Sequence, residues 1–171
     1  FCVEAATVFS NEVVDEPSDR RNRYYGPFSG GSRVLIEARL TRPALQAASV
    51  VTSAVAVVLL ALLGAMDRAS SLTVTVLGTT SVLAVGYTLP PLRLCYRGMG
   101  ELTVAFTHSF GALYAGYLLQ GGPATSVLPL ALSACLACAI LPSILLAGVP
   151  DAEADRDSGK QTVAVLLGVR A

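Results

Sequence analysis

Charged residues leave long gaps along this chain. None lies between Arg42 and Asp67, between Arg68 and Arg93, or between Glu101 and Asp151. About 20 apolar residues cross a bilayer as a helix. Each of the first two stretches is long enough for one span. The third is long enough for two, and Gly121-Gly122-Pro123 divides it with a strong turn signal. The pattern predicts four transmembrane helices, at about 44–65, 70–89, 102–119 and 126–148. It makes residues 1–171 one membrane-embedded domain: an all-α, multi-pass transmembrane helical bundle.

The segments between spans are polar. Residues 1–19 read as the end of a helix. Residues 20–43 form a long basic loop whose glycines, Gly26, Gly30 and Gly31, permit turns closed to other residues. Within it, "VLIEARL" suggests a short interfacial helix that returns the chain to the membrane at Pro43. Residues 66–71 form a short turn, and 88–100 and 149–171 form two further loops.

Composition supports the membrane reading. The chain is 53% hydrophobic and 14% charged, with mean hydropathy +0.62, whereas soluble domains carry roughly 25% charged residues. The formal net charge is zero, yet of twelve Lys and Arg residues only Arg68 falls in a loop assigned to the far side. The others lie in 20–42, 93–97 and 156–170, which a four-span topology places together. Basic loops mark the cytoplasmic side, so the motif loops are expected there. No signal-peptide pattern is visible. The chain opens on "FCVEAATVF", like the last turns of an earlier helix, and reads as a piece truncated at both ends. Cys135 and Cys138 make a CxxC inside an apolar helix and read as small interior packing residues, not as a zinc site.

The chemistry sits in two acidic groups. Asn11, Asp15 and Asp19 are four residues apart, which stacks them on one helical face, and Asp151 and Asp155 share the spacing. Carboxylates near a membrane are costly unless they are paired or bind a cation. Two such clusters facing each other supply hard oxygen ligands that suit Mg2+, which takes one or two carboxylates, waters and substrate phosphate oxygens. Arg20, Arg21, Arg23, Arg93, Arg97 and Lys160 come from the same side. Cations and Mg2+ beside a dry bundle suit a diphosphate with a long apolar tail. Nothing points to nucleic acid. A plain solvated juxtamembrane face is the alternative for either cluster alone. For the pair, the alternatives are a scaffold protein with incidental acids, or a cation transporter or channel using the carboxylates as ion sites. Transporter sites lie near the midplane, whereas these acids lie at span ends. Pro17 lacks the N–H that would bond back to Val13, which predicts a kink before Asp19.

Four stretches carry a resemblance. "NEVVDEPSD" resembles the first N-D-x-x-D-x-x-x-D motif of the UbiA family of intramembrane prenyltransferases. "DAEADRDSGKQTVAVLLG" resembles the second, D-x-x-x-D followed by G-K-x-T-x-A-V-x-L-G. "PFSGGSRVL" and "YTLPPLRLCYRGMGEL" are similar to loops of the branch that prenylates 1,4-dihydroxy-2-naphthoate in menaquinone synthesis. The resemblance implies a bundle of nine membrane helices, of which this chain holds the end of the second, the third to sixth, and the approach to the seventh. It implies Mg2+ as cofactor, with Asn11, Asp15 and Asp19 holding one ion and Asp151 and Asp155 another. It also implies transfer of an isoprenoid chain from a polyprenyl diphosphate to an aromatic, quinone-precursor acceptor within the lipid bilayer.

The catalytic roles then fall to Asp15, Asp151 and Tyr87, and diphosphate binding to Arg20, Arg93, Arg97 and Lys160. Tyr87 could stabilise the allylic cation through its ring face or contact diphosphate through its hydroxyl; Tyr is also common at membrane interfaces. Two positions depart from the family pattern. Glu12 stands where Asp is frequent. Cys95 stands where Lys is frequent, which leaves Arg93 or Arg97 to serve the diphosphate. His108, inside a span, either lines the acceptor site or hydrogen-bonds a neighbouring helix. Gly111 and Gly116 suit close helix packing, and Pro142 predicts a kink in the last span.

Overall fold

A computed structural model describes residues 1–26, 29–66 and 69–169. Arg68 and Arg170 of the charge pattern, and Pro27 and Phe28 of the "PFSGG" loop, lie outside the described residues. The described chain is helical: α1 Cys2–Arg21, α2 Arg42–Ala65, α3 Ser71–Val85, α4 Gly100–Leu119, α5 Val127–Ala147, α6 Ala152–Ser158 and α7 Val163–Leu166. Three of them, α2, α4 and α5, are long and apolar enough to cross a membrane. At 1.5 Å per residue each exceeds the roughly 30 Å hydrocarbon core or comes close to it.

Helix α3 is apolar but has 15 residues, shorter than the span expected over 70–89. Ser70 caps its start by accepting a hydrogen bond from the Thr73 N–H at 3.1 Å. At Gly86 the chain leaves the helix and doubles back. The Leu94 N–H then bonds to Gly86 O, and the Cys95 N–H to Tyr87 O, both at 3.0 Å. Tyr87 therefore sits in a folded loop and not in a helical end.

Helix α1 packs chiefly on α2. Ala6, Ser10 and Val13 form its buried stripe, at the spacing of one helical face. Their small size lets the helices approach, and Ser49 of α2 donates across the contact to Ala6 O at 3.1 Å. Helix α1 runs through Pro17 without a break. The carbonyl that Pro17 leaves without an N–H, Val13 O, accepts from Arg42 Nη2 at 3.1 Å. The expected interruption is thereby bridged from the next helix, and Asp19 stays in line with Asp15.

Helix α4 is the most enclosed of the long helices and packs on α5 and α3. Its middle, Thr107–Tyr114, is wound as a π-helix. Gly111 is needed there, because a Cβ would lie 2.3 Å from Thr80 Cγ2 of α3. Gly116, by contrast, has open space around it, so the packing role expected for it is not met. The apolar residues Val50, Val57 and Leu62 of α2 and Leu128, Leu132 and Leu146 of α5 are exposed. Faces of this kind suit contact with lipid.

Other expectations change as well. Residues 34–40 do not form an interfacial helix. They make consecutive turns, closed by the Arg39 N–H bonding to Val34 O at 2.9 Å, with Arg33 and Ala38 in the left-handed region that interrupts a helix. Cys135 and Cys138 lie exposed on α5 instead of packing inside. His108 Nδ1 lies 3.0 Å from the Val104 carbonyl of its own helix, and its Nε2 lies 3.8 Å from Glu4.

Candidate active site

A cavity of about 510 Å3 opens where α1 and α5 end and α4 begins, with α6 alongside. One wall comes from α1: Asn11, Asp15 and Asp19 all line it, as their four-residue spacing on an unbroken helix requires. Asp151 and Asp155 line the opposite wall. Asp151 precedes α6, and Asp155 is buried one turn into it.

The turn after α6 places the cation. Gly159 takes a left-handed conformation at φ 81°, and the chain reverses, so that the Lys160 N–H bonds to Asp155 O at 2.9 Å. The Gln161 N–H then bonds to Cys95 O at 3.0 Å, pinning this strap to the Tyr87 loop. Lys160 is buried, with Nζ 3.0 Å from Asp15 Oδ1 and 3.3 Å from Asp155 Oδ1. A second tether links the same walls: Asn22 Nδ2 donates to Asp151 Oδ1 at 2.6 Å, while Asn22 Oδ1 accepts from the Tyr24 N–H at 2.8 Å.

One ammonium does not balance the acids around it. Burial raises the pKa of Asp15, with further upward pressure from Glu12 and Asp151, against the lowering effect of Lys160. Burial and the neighbouring Asp15 push Asp19 up to about 6. Asp155 is likewise raised by burial despite Lys160. Burial works against the charge on Lys160, but Asp15 and Asp155 outweigh it and hold the ammonium protonated. The pair lowers neither carboxylate below its ordinary range because desolvation outweighs it. A further cation in the cavity would favour the ionised carboxylates that burial penalises.

The donors are hard oxygens. Asp15 Oδ1 is buried and accepts no hydrogen bond of good geometry, although Lys160 stands beside it. Asn11 Oδ1 accepts from the Thr88 hydroxyl, which orients the amide and leaves the oxygen a second lone pair. Among the described residues, no three Asp, Glu, His or Cys side chains group closely enough to hold a metal ion by themselves. Asn11, Asp15 and Asp19 on one wall and Asp151 and Asp155 on the other could each contribute ligands to an ion that a substrate also coordinates.

A strap from the long loop lies over the first acidic group. Gly31, at φ 68°, passes so close to Asp19 that a Cβ would fall 2.2 Å from Oδ2. The Ser32 N–H donates to Glu12 Oε1 at 3.1 Å, and Arg33 Nη1 donates to Asp19 O at 3.1 Å. Glu12 therefore holds the strap.

Of the four cations expected to bind diphosphate, Lys160 lines the cavity and the three arginines do not. Arg20 points away from Asp15 and pairs with Glu16 at 2.9 Å, one helical turn back. Arg93 lays its guanidinium 3.9 Å over the Tyr96 ring, and Arg97 donates to Pro91 O at 3.0 Å. Neither lines the cavity beside Cys95, the position where Lys is frequent in the family pattern. Cys95 is fully buried, and burial pushes its thiol up to about 11, so it stays neutral. Tyr87 lines the cavity, and burial also raises its hydroxyl pKa. A Cβ on Gly100 would come within 3.2 Å of the Tyr87 ring, so the bare start of α4 makes room for that ring.

Sequence reasoning missed Glu101, which lines the cavity, and it missed Thr88 and Asn22, which orient Asn11 and Asp151. Glu101 carried a readable signal, as a single acid at the mouth of an apolar span. Thr88 and Asn22 carried none.

Comparison with known proteins gives one match. The model of the UbiA prenyltransferase family covers residues 1–171. Searches of curated proteins and of solved structures found nothing similar. Because the family match runs the whole length of an all-helical, membrane-compatible chain, this protein belongs to the UbiA prenyltransferase family.

Proposed function

We propose that this chain carries out Mg2+-dependent transfer of an isoprenoid chain from a polyprenyl diphosphate to an aromatic quinone precursor, 1,4-dihydroxy-2-naphthoate being the first candidate. Membership in the family supports membrane prenyl transfer from a prenyl diphosphate. The acceptor rests on the similarity of "PFSGGSRVL" and "YTLPPLRLCYRGMGEL" to loops of the naphthoate branch. The observation that carries the reading is the meeting of both acidic groups and Lys160 in one cavity at the end of an apolar bundle.

The residues divide the work. Asn11, Asp15 and Asp19 on one wall, and Asp151 and Asp155 on the other, would hold Mg2+ together with diphosphate oxygens. Bound there, Mg2+ supplies positive charge where the leaving diphosphate gains negative charge. Lys160 presents N–H donors to the same group from a fixed position, so little reorganisation is needed as charge develops. Tyr87 keeps its proton, and its neutral ring can face the allylic cation. Val8, Ile144 and Ala147 line the cavity beside the acids and exclude water that would capture that cation. By the distribution of basic residues, the cavity opens to the cytoplasmic side.

The test is transfer by the full-length protein in detergent, with labelled polyprenyl diphosphates and a panel of acceptors. The reading expects Mg2+-dependent product that disappears in Asp15→Ala and Asp151→Ala. Absence of transfer to every aromatic acceptor overturns it.

A further inference from the structure

Glu101 lies in the first turn of α4 and is only 6% exposed. Its Oε1 accepts from the Val163 N–H at 2.7 Å, which steadies the strap carrying Lys160. Its Oε2 is buried and has no hydrogen-bond partner, and among the described residues no ion pair reaches it. The same residue lines the cavity shared by Asp15, Tyr87 and Lys160. Anchoring the strap uses one oxygen, and a neutral side chain could do that equally well. A second carboxylate oxygen left bare at the mouth of a membrane span is unfavourable unless a donor arrives.

Charge decides which donor. A diphosphate offers only acceptor oxygens and would be repelled. The other substrate, a hydroxyl-bearing aromatic, offers an O–H. We propose that Glu101 Oε2 receives the hydroxyl proton of the acceptor and so raises the electron density of the attacking ring carbon. The inference rests on the prenyl-transfer reading above. Glu101 is part of the cavity lining, and it is Oε1, not Oε2, that the strap holds.

The step balances. The hydroxyl proton passes to Oε2. The ring carbon forms its bond to the allylic carbon, whose C–O bond breaks with the electron pair leaving on diphosphate. The alkylated ring is then a ketone still bearing its ring hydrogen. That hydrogen leaves as a proton to diphosphate, and the ketone oxygen takes back the proton held by Glu101. The products are the prenylated hydroxyarene and protonated diphosphate.

The experiment compares a hydroxyl acceptor with its methyl ether, using wild type and Glu101→Gln of the full-length protein. Glutamine keeps an oxygen for the Val163 N–H and removes the base. Wild type is expected to favour the hydroxyl acceptor by ~100-fold in kcat, in the range of general base catalysis. Glu101→Gln is expected to lose ~100-fold with the hydroxyl acceptor and to discriminate little between the two. Its binding of a non-reactive prenyl diphosphate analogue should stay near wild type, which also reports an intact fold. Wild type that uses both acceptors equally overturns the inference without any variant. A variant that keeps wild-type kcat, or that slows equally with both acceptors, overturns it too, the latter result marking a purely structural residue. Wild type inactive with every aromatic acceptor overturns the prenyl-transfer reading itself, and this inference with it.

Discussion

Lys160 Nζ stands 3.0 Å from Asp15 Oδ1, so the strap that follows α6 is held to the polar end of α1 by one buried ion pair. The same nitrogen is 3.3 Å from Asp155. Removing its charge leaves two carboxylates facing each other without a cation. Breaking a buried pair from one side costs about 3–5 kcal/mol. Lys160→Met is expected to lower Tm in the metal-free protein and to abolish detectable transfer. Adding Mg2+ should recover part of the lost Tm, because a cation can again neutralise the acids. Thermal melting with and without Mg2+ checks this; an unchanged Tm would contradict the ion pair.

Gly31 has no room for a side chain, because its backbone crosses directly over the Asp19 carboxylate. Gly31→Ala must shift either the strap or Asp19. Transfer is expected to fall at least about tenfold, in keeping with the effect of small misplacements at reacting centres. Tm should change little, since the strap is peripheral to the helix packing. Wild-type rates in this variant would show that the strap is not seated in solution as described.

Arg42 and Pro17 should be energetically coupled. Arg42→Ala strands the Val13 carbonyl and is expected to cost ~1 kcal/mol, a typical hydrogen-bond contribution. In a Pro17→Ala background, the new N–H at position 17 can bond to Val13 itself. There, Arg42→Ala should cost clearly less. Melting of the four proteins of this cycle gives the coupling, and strict additivity would refute it.

Helix packing offers a matched pair of glycines. Gly111→Val drives a side chain into Thr80 and is expected to cost about 1–3 kcal/mol, as overpacking does. Gly116→Ala meets nothing within 4 Å and should be neutral or slightly stabilising. Equal effects of the two would place the α3–α4 contact elsewhere.

The acids also set a pH dependence. Asp19 moves from an ordinary 3.8 to about 6 in the folded chain, through burial and the nearby Asp15, and Asp15 and Asp155 move in the same direction. Between those values the folded state binds more protons than the unfolded one, so stability falls as pH rises. Chelator-treated protein is therefore expected to lose Tm progressively from about pH 4 to pH 6.5 through these groups. Lys160→Met should steepen the loss, since the remaining cation is gone. A Tm that rises across this window would mean that the carboxylates are already compensated.

The acidic motifs were legible because their chemistry is periodic. A four-residue repeat on a helix puts side chains on one face whatever surrounds it, and Asn11, Asp15 and Asp19 do line one cavity with Asp151 and Asp155. The arginines were not legible. Arg20, Arg93 and Arg97 have long, flexible side chains, and each ends on a local partner: a glutamate one turn away, a tyrosine ring and a proline carbonyl. Sequence proximity to the motifs could not rank those partners against a diphosphate.

By itself, then, the sequence determined the apolar helices, the helical fold class, and the face on which each acidic group lies. These follow from hydrophobic length and from a 3.6-residue period, both local properties of the chain. Only the tertiary structure decided how the groups are used. It bridged Pro17 with Arg42, shortened α3 so that Tyr87 turns in a loop, carried Lys160 to Asp15 through the reversal at Gly159, and buried Glu101 beside them. Each of these depends on contacts between segments far apart in the chain, where burial and the competition among nearby partners choose the outcome.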